Sequence, residues 1–387
     1  MNKETLKAIL NVSQRDKLFK EILSDLKKVS ELNYCIYSEF ETSEGIIPAL
    51  KFCKNEEISQ VENLKVFVGA QHNEYNGLFG ILEFLEIIKS GRMDIESIFQ
   101  KNQHLIFLPL MNPYGFVHPR NENKSGYYLK NGTNLNRFWR RTFAPEYENG
   151  ENNLNNHPIP EHAKIVKEIL SPYWNEEAIN IYLLDFHETS LLRRFPQELS
   201  LELNKQSITY KFDHWLKEGI ILNVMKLNDI PYYRKPLFYK CNSSTDHNHI
   251  NLSIKQIDSV YEKLLIYISE NQGNLPFYFC YSKKSKEYCK KLANKVYKEV
   301  KEIVWETYFP AFDHSFHDHG CFVKMSDATS RENVLTMELE SEKQFFNIFE
   351  EIEKSKQDPH YFEEKLDLIN KSLTLAIESI ETMISTF

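Results

Sequence analysis

Three short apolar runs, each ending in polar residues, most constrain what this chain can fold into: "LKVFVGA" (64–70), "HLIFLPLMN" (104–112) and "AINIYLLDF" (178–186). Each is apolar almost throughout rather than alternating, and too short for a core-crossing helix, so it reads as a strand buried on both faces. Helical periodicity separates them. Residues 77–90 form one amphipathic stretch closing near Gly91, and "PEHAKIVKEIL" (160–170) begins another, with Pro160 near its first turn. Buried strands alternating with helices predict an α/β fold: a mixed, mostly parallel twisted sheet flanked by helices.

The remaining segments attach to that frame. Residues 5–30 read as a helix, with Leu18, Phe19, Ile22, Leu23 and Leu26 at helical spacing. "YCIYSEF" and "IIPALKFC" read as two strands turned by Ser43, Glu44 and Gly45. Residues 112–160 are Asn-rich and aperiodic, a length of loop that usually carries function. "PFYFCYS" and "NVLTMELE" read as later strands, while 253–268 and 285–303 read as helices. The tail 363–385 places Leu366, Ile369, Leu373, Ile377, Ile380 and Ile384 on one helical face. The expected organisation is an N-terminal helical segment, 1–40, and one catalytic domain, 41–387. That domain carries an insertion around 200–310 and a C-terminal helix.

Composition narrows the function classes. A net charge of −8 without a basic block argues against nucleic acid as a partner. No apolar stretch has the length of a membrane span. The six cysteines form no CxxC pair, and the N-terminus has no signal-peptide core, so a reduced, cytoplasmic protein is expected.

Polar residues gather at the carboxyl ends of the predicted strands, where open α/β sheets place ligands. Gln71, His72, Asn73 and Glu74 follow the first strand. Asn112-Pro113-Tyr114-Gly115 follows the second, His187 the third, and Glu338 lies on the last. His72 and Glu74 are two apart and Gln71 and Glu74 three apart, so either pair could hold a metal. Each residue also has a plainer explanation. Glu74 at a helix start favours the helix dipole. A lone His187 is more often a hydrogen-bonded core histidine, and Asp185, two residues earlier on the same face, would orient a ligand or pair with a cation. Glu338 on an apolar strand needs a buried partner, with Glu340 as its rival for any carboxylate role. Two His-rich stretches, 244–249 and 313–321, have metal-binding composition but read as polar loops. Arg193 and Arg194 would line a pocket or face solvent.

Six stretches in order resemble the zinc carboxypeptidase superfamily, which includes the aspartoacylase and succinylglutamate desuccinylase branch. They are "SEGIIPALKF" (43–52), "GAQHNEYNG" (69–77), "LPLMNPYGF" (108–116), "GTNLNRFW" (132–139), "LLDFHETS" (183–190) and "LTMELES" (335–341), spanning roughly residues 40–345. The resemblance implies a zinc cofactor with Glu74 and His187 among its ligands and Glu338 as general base. It also implies an oxyanion arginine at Arg120 and a carboxylate clamp at Asn136 and Arg137. Counted without gaps, the family's first histidine position holds Gln71, and His72 falls one place later; Gln71 is the expected ligand and His72 the alternative. Asn134 and Tyr114 stand where the family carries Asp. The chemistry suits these residue types: three protein ligands leave a metal position open to water. A carboxylate can take that water's proton, and Arg with Asn can grip a free carboxylate.

The implied activity is a carboxypeptidase acting on a peptide with a free carboxylate. An amidohydrolase of N-acyl amino acids is the alternative enzyme, although the hairpin at 43–52 and the helical tail fit that branch less well. A pseudoenzyme that binds C-terminal carboxylates is the non-enzymatic alternative. The family's specificity residue and mobile Tyr fall where no alignment is possible, with Tyr232 and Tyr233 among several possibilities.

Overall fold

A computed structural model describes residues 1–98, 102–147, 156–189, 266, 270, 273–305, 311–313, 320–345 and 347–386. Among the described residues, eight strands form one mixed sheet. In chain order they are β1 (Cys35–Thr42), β2 (Gly45–Phe52), β3 (Asn63–Val68), β4 (Gln103–Leu108), β5 (Asn180–Thr189), β6 (Phe277–Tyr281), β7 (Ala311–Asp313) and β8 (Val334–Glu342). In space they run β1-β2-β4-β3-β5-β8-β6-β7. The centre, β4-β3-β5-β8, is parallel. The β1–β2 hairpin joins one side antiparallel, and β6 joins the other side antiparallel to β8. The three apolar runs supply β4, β3 and β5, side by side at the centre, as expected of strands buried on both faces.

Helices cover both faces. The longer ones are α1 (Lys3–Leu10), α2 (Arg15–Val29), α3 (Asn76–Lys89), α4 (Glu161–Trp174), α5 (Lys286–Val300), α6 (Ile348–Gln357) and α7 (Tyr361–Thr386). On one face α1, α2, α3, α5 and α7 bury Phe67, Phe107, Leu184, Phe186, Met337 and Leu339. On the other, α4 and Trp139 cover Leu64, Val66, Val68, Ile181 and Leu183. The core on the first face includes the N-terminal helices, so residues 3–29 are packed into the domain.

Several boundaries differ from the sequence reading. The expected helix at 5–30 is two helices. Asn11 leaves helical geometry at φ −102° and ψ 97°, and its side chain accepts the Ser13 N–H, which ends α1 and starts a short 3-10 turn before α2. The loop at 112–160 contains one-turn helices at Pro113–Val117 and Trp139–Phe143. Of the expected insertion at 200–310, the described part includes β6, paired in the main sheet, and α5, packed in the core. Residues 190–265 and 314–319 lie outside the described residues. They include Arg193, Arg194, Tyr232, Tyr233, the stretch 244–249 and most of 313–321.

Two close approaches fix α3 against the site. A Cβ on Gly77 would lie 2.3 Å from the Phe186 Cβ, and one on Gly69 would lie 2.8 Å from the Pro109 carbonyl oxygen. The loop 69–75 is thus pressed between β4, β5 and the start of α3, which brings Glu74 to the end of β5. Buried Arg15 holds this loop from behind. Its Nη1 donates to the Tyr75 hydroxyl at 2.8 Å and to the Phe116 carbonyl at 2.9 Å, and its Nε donates to the Ile9 carbonyl.

Candidate active site

Strand register explains which side chains meet. β5 and β8 pair Asp185 with Glu338 and His187 with Glu340, and β6 places Cys280 beside Glu338. In-register neighbours share a face. That face is apolar through Ile181, Leu183 and Val334. It turns acidic at the carboxyl end of the strands.

His187 is at the centre. Its Nδ1 lies 2.8 Å from Glu74 Oε2, and its Nε2 lies 2.6 Å from Asp185 Oδ2 and 3.8 Å from Glu338 Oε1. Burial alone would push its pKa down, but Asp185 and then Glu74 outweigh burial and leave it well above the ordinary value. Glu74 shows the opposite balance. Burial pushes its carboxyl up, yet Lys343 and His187 pull it below the usual carboxylate range. The Lys343 ammonium donates to Glu74 Oε1 at 2.9 Å and to Asn73 Oδ1 at 2.8 Å.

Asp185 grips two neighbours with one oxygen, Oδ2, which also accepts from Gln71 Nε2. Its other oxygen is buried without a hydrogen-bond partner. The Gln71 carbonyl oxygen accepts from the Trp139 indole at 2.7 Å, so the Gln71 amide is engaged at both ends. Burial raises the carboxyls of Asp185 and Glu338 and lifts Glu340 to about 8 and Glu188 to about 7. Glu188 faces the opposite way, where it accepts the Asn76 N–H at the start of α3 and the Gln344 N–H.

His72 is buried, and its Nδ1 lies 2.8 Å from the Tyr127 carbonyl oxygen. A carbonyl can only accept, so the proton sits on Nδ1 and Nε2 carries a bare lone pair. That Nε2 is buried with no partner. The ring stacks on Tyr127 at 4.0 Å and lies 5.4 Å from the His187 ring, centroid to centroid. Burial lowers its pKa to about 3, so it stays neutral.

Asn136 completes the wall. Its Nδ2 lies 3.3 Å from Glu338 Oε1 and 3.2 Å from His187 Nε2, while its Oδ1 accepts the Phe322 N–H at 2.7 Å. That backbone contact fixes which end of the amide faces the carboxylate. Arg137 donates from Nη1 to the Asn136 carbonyl. Arg120 stands apart at the entry to the turn 121–126, with an exposed side chain.

The structure therefore brings together Gln71, His72, Glu74, His187, Glu338 and Asn136, with Arg137 adjoining and Arg120 at the surface. Sequence reasoning missed Lys343, Trp139 and Cys280. The alternation of Glu338 and Glu340 along β8 was a visible signal for two acids on one face. Asp185, His187 and Glu338 bring ligand atoms within 4.8 Å of one another and form a group able to hold a metal ion. The donors of this group fit such an ion, with an imidazole held by carboxylates and an unpartnered carboxylate oxygen on Asp185; His72, with its bare buried Nε2, stands outside the group, its ring 5.4 Å from that of His187.

No protein-family model matches the chain, and no curated protein matches it. Solved structures similar in fold include a metallo-carboxypeptidase from Burkholderia cenocepacia, with 12% identity and a TM-score of 0.46, covering 93% of this chain and 68% of that one. Another is a metallo-carboxypeptidase from Pseudomonas aeruginosa in complex with (2-guanidinoethylmercapto)succinic acid, with 12% identity and a TM-score of 0.45, covering 93% and 68%. A third is bovine thrombin-activatable fibrinolysis inhibitor in complex with tick carboxypeptidase inhibitor, with 11% identity and a TM-score of 0.48, covering 94% and 96%.

Proposed function

We propose that this chain is a zinc-dependent hydrolase of the carboxypeptidase type, cleaving the amide bond next to a free carboxylate. The observation that carries the reading is the bare, buried Nε2 of His72, on a ring whose centroid lies 5.4 Å from that of the His187 ring held by Glu74. His72 through Nε2, Glu74 through Oε2 and His187 through Nδ1 would hold the ion. Here His72 is preferred to Gln71, whose carbonyl oxygen already accepts from Trp139. Asp185 on His187 Nε2 and the Tyr127 carbonyl on His72 Nδ1 would orient the two rings, the usual partners of ligating histidines.

Zinc bound there would supply a Lewis acid and an acidified water. Glu338, buried and aligned by Asn136, would take the water proton and pass it to the leaving amine. Asn136 and Arg137 would hold the substrate carboxylate, and Arg120 would reach the oxyanion from the rim. Lys343, already paired with Glu74, would limit the charge the site presents to the ion.

A second reading places the ion on the other side of His187, between Asp185, His187 Nε2 and Glu338, favoured by their mutual approach within 4.8 Å. Glu340 would then be the carboxylate left for proton transfer. Metal content of purified variants separates the two. In the first reading His72→Ala loses the metal, Gln71→Ala keeps it, and Glu338→Gln keeps it while turnover falls. In the second, Glu338→Gln and Asp185→Asn lose it and His72→Ala keeps it. Full metal in all four variants refutes both. Turnover of C-terminally free peptides against N-acyl amino acids then decides the substrate.

A further inference from the structure

On the β6 side of Glu338 lies a second set of donors, one of which, Glu340, is paired in register with His187. The Cys280 thiol, Glu338 and Glu340 bring ligand atoms within 4.8 Å of one another, on the shared face of β6 and β8. Cys280 is fully buried, and among the described residues no hydrogen bond to its thiol is present. Glu340 carries a buried oxygen, Oε2, with no hydrogen-bond partner. Glu74 is answered by Lys343 and His187, Glu188 by two backbone N–H groups and Glu338 by Asn136, while Asp185 pairs through Oδ2 alone and keeps Oδ1 unpartnered on the His187 side. On the β6 side, Glu340 and the thiol lie close together, and Glu340 Oε2 has no partner.

We propose that Cys280, Glu338 and Glu340 form a second divalent-cation site that shares Glu338 with the hydrolytic centre. A thiolate with two carboxylates selects a borderline or soft ion such as zinc, cobalt or cadmium over magnesium or calcium, which prefer all-oxygen sets. On binding, the thiol proton and any proton on Glu340 leave to solvent, and the sulfur forms a metal–thiolate bond with no change of oxidation state. The ion would occupy an oxygen of Glu338. Resting on the role proposed above for that residue, filling the second site would lower turnover.

The test uses the full chain, stripped of metal by chelator and titrated with Co²⁺. Two ions per chain are expected. The one at this site brings a thiolate-to-cobalt charge-transfer band, and magnesium does not compete for it. Cys280→Ser should lose the band and one ion, and Glu340→Gln should weaken the same step. His72→Ala should lose the other ion and keep the band. One Co²⁺ per chain with no thiolate band in the wild type overturns the proposal whatever the variants do, as does a band that persists in Cys280→Ser. One ion with a band, kept in His72→Ala, would instead uphold this site and remove the metal centre proposed above.

Discussion

Two histidines sit on the same face of one sheet, at opposite ends, and behave in opposite ways. His104, near the amino end of β4, lies 2.8 Å through Nδ1 from the Tyr173 hydroxyl and 2.7 Å through Nε2 from the Asn55 carbonyl. The carbonyl requires a proton on Nε2, so Nδ1 accepts from the tyrosine and the ring is satisfied while neutral. Burial lowers its pKa to about 4. His187, at the carboxyl end of β5, has carboxylates on both nitrogens and is raised well above the ordinary value. The residue type is the same and both are buried. The neighbours decide which histidine is lowered and which is raised. The same shift occurs along β5, where Ile181 and Leu183 serve the core and Asp185 and His187, on the same face, serve the site.

The sharpest way to break this contrast is at Glu338. If the carboxyl end carries the chemistry, Glu338→Gln should cut kcat by about 10²- to 10⁴-fold, equivalent to about 3–5 kcal/mol in the barrier, with unchanged thermal stability. Steady-state kinetics beside a melting curve checks both parts. A variant with normal turnover would leave His187 no more catalytic than His104. Leu183→Ala, two residues before Asp185 and fully buried, tests the apolar half of the same strand. It should cost about 2–5 kcal/mol of stability in a denaturant titration while the surviving folded protein keeps its metal. Loss of metal at full folding would show that the two halves are not separable.

The amino end predicts a pH effect. The folded pKa of His104, about 4, lies below its unfolded value of about 6.5. The unfolded chain therefore binds more protons between those values. The contribution to stability is full above about pH 6.5 and is lost as pH falls towards 4, at most about 3 kcal/mol. His104→Gln should flatten the acid limb of a plot of unfolding free energy against pH. His162, also lowered to about 4 by burial, leaves part of the slope in place. An unaltered slope in the variant would show that His104 is protonated when folded and that the contrast with His187 fails.

Much of this was legible in the sequence where the signal is local. Apolar runs gave β3, β4 and β5, and their polar ends gave Glu74, Asn112 and His187, because a strand's burial and its exit are written in consecutive residues. The Asp185–His187 contact was legible because side chains two apart on a strand share a face. What was hidden is long-range pairing. Lys343 reaches Glu74 across 269 positions and Trp139 reaches Gln71 across 68, and no spacing rule connects them. The competition between Gln71 and His72 turns on the same blind spot. Motif spacing favours Gln71, while the Trp139 indole that occupies its oxygen, and the Tyr127 carbonyl that leaves His72 Nε2 bare, are visible only in three dimensions. Arg120 shows the reverse: it holds its place in the motif order, yet its side chain is exposed at the entry to the turn 121–126.

Asp185 gives the finest test of the comparison, because it does for His187 what the Asn55 carbonyl does for His104: it accepts from Nε2. Asn keeps the shape and can offer its amide oxygen to the same ring nitrogen, but it removes the charge. If Asp185 only orients His187, Asp185→Asn should lower metal affinity by roughly 10- to 100-fold and leave the stoichiometry unchanged, the range for a partner of a ligating histidine. His187 would then resemble His104 more closely, with a neutral acceptor on Nε2, and its pKa should fall because the largest upward influence has gone. Isothermal titration with zinc, alongside the His187 ring resonances across pH, measures both. Complete loss of binding would make Asp185 a ligand and move the ion to the Nε2 side; unchanged affinity and resonances would mean that Glu74 alone sets His187 apart.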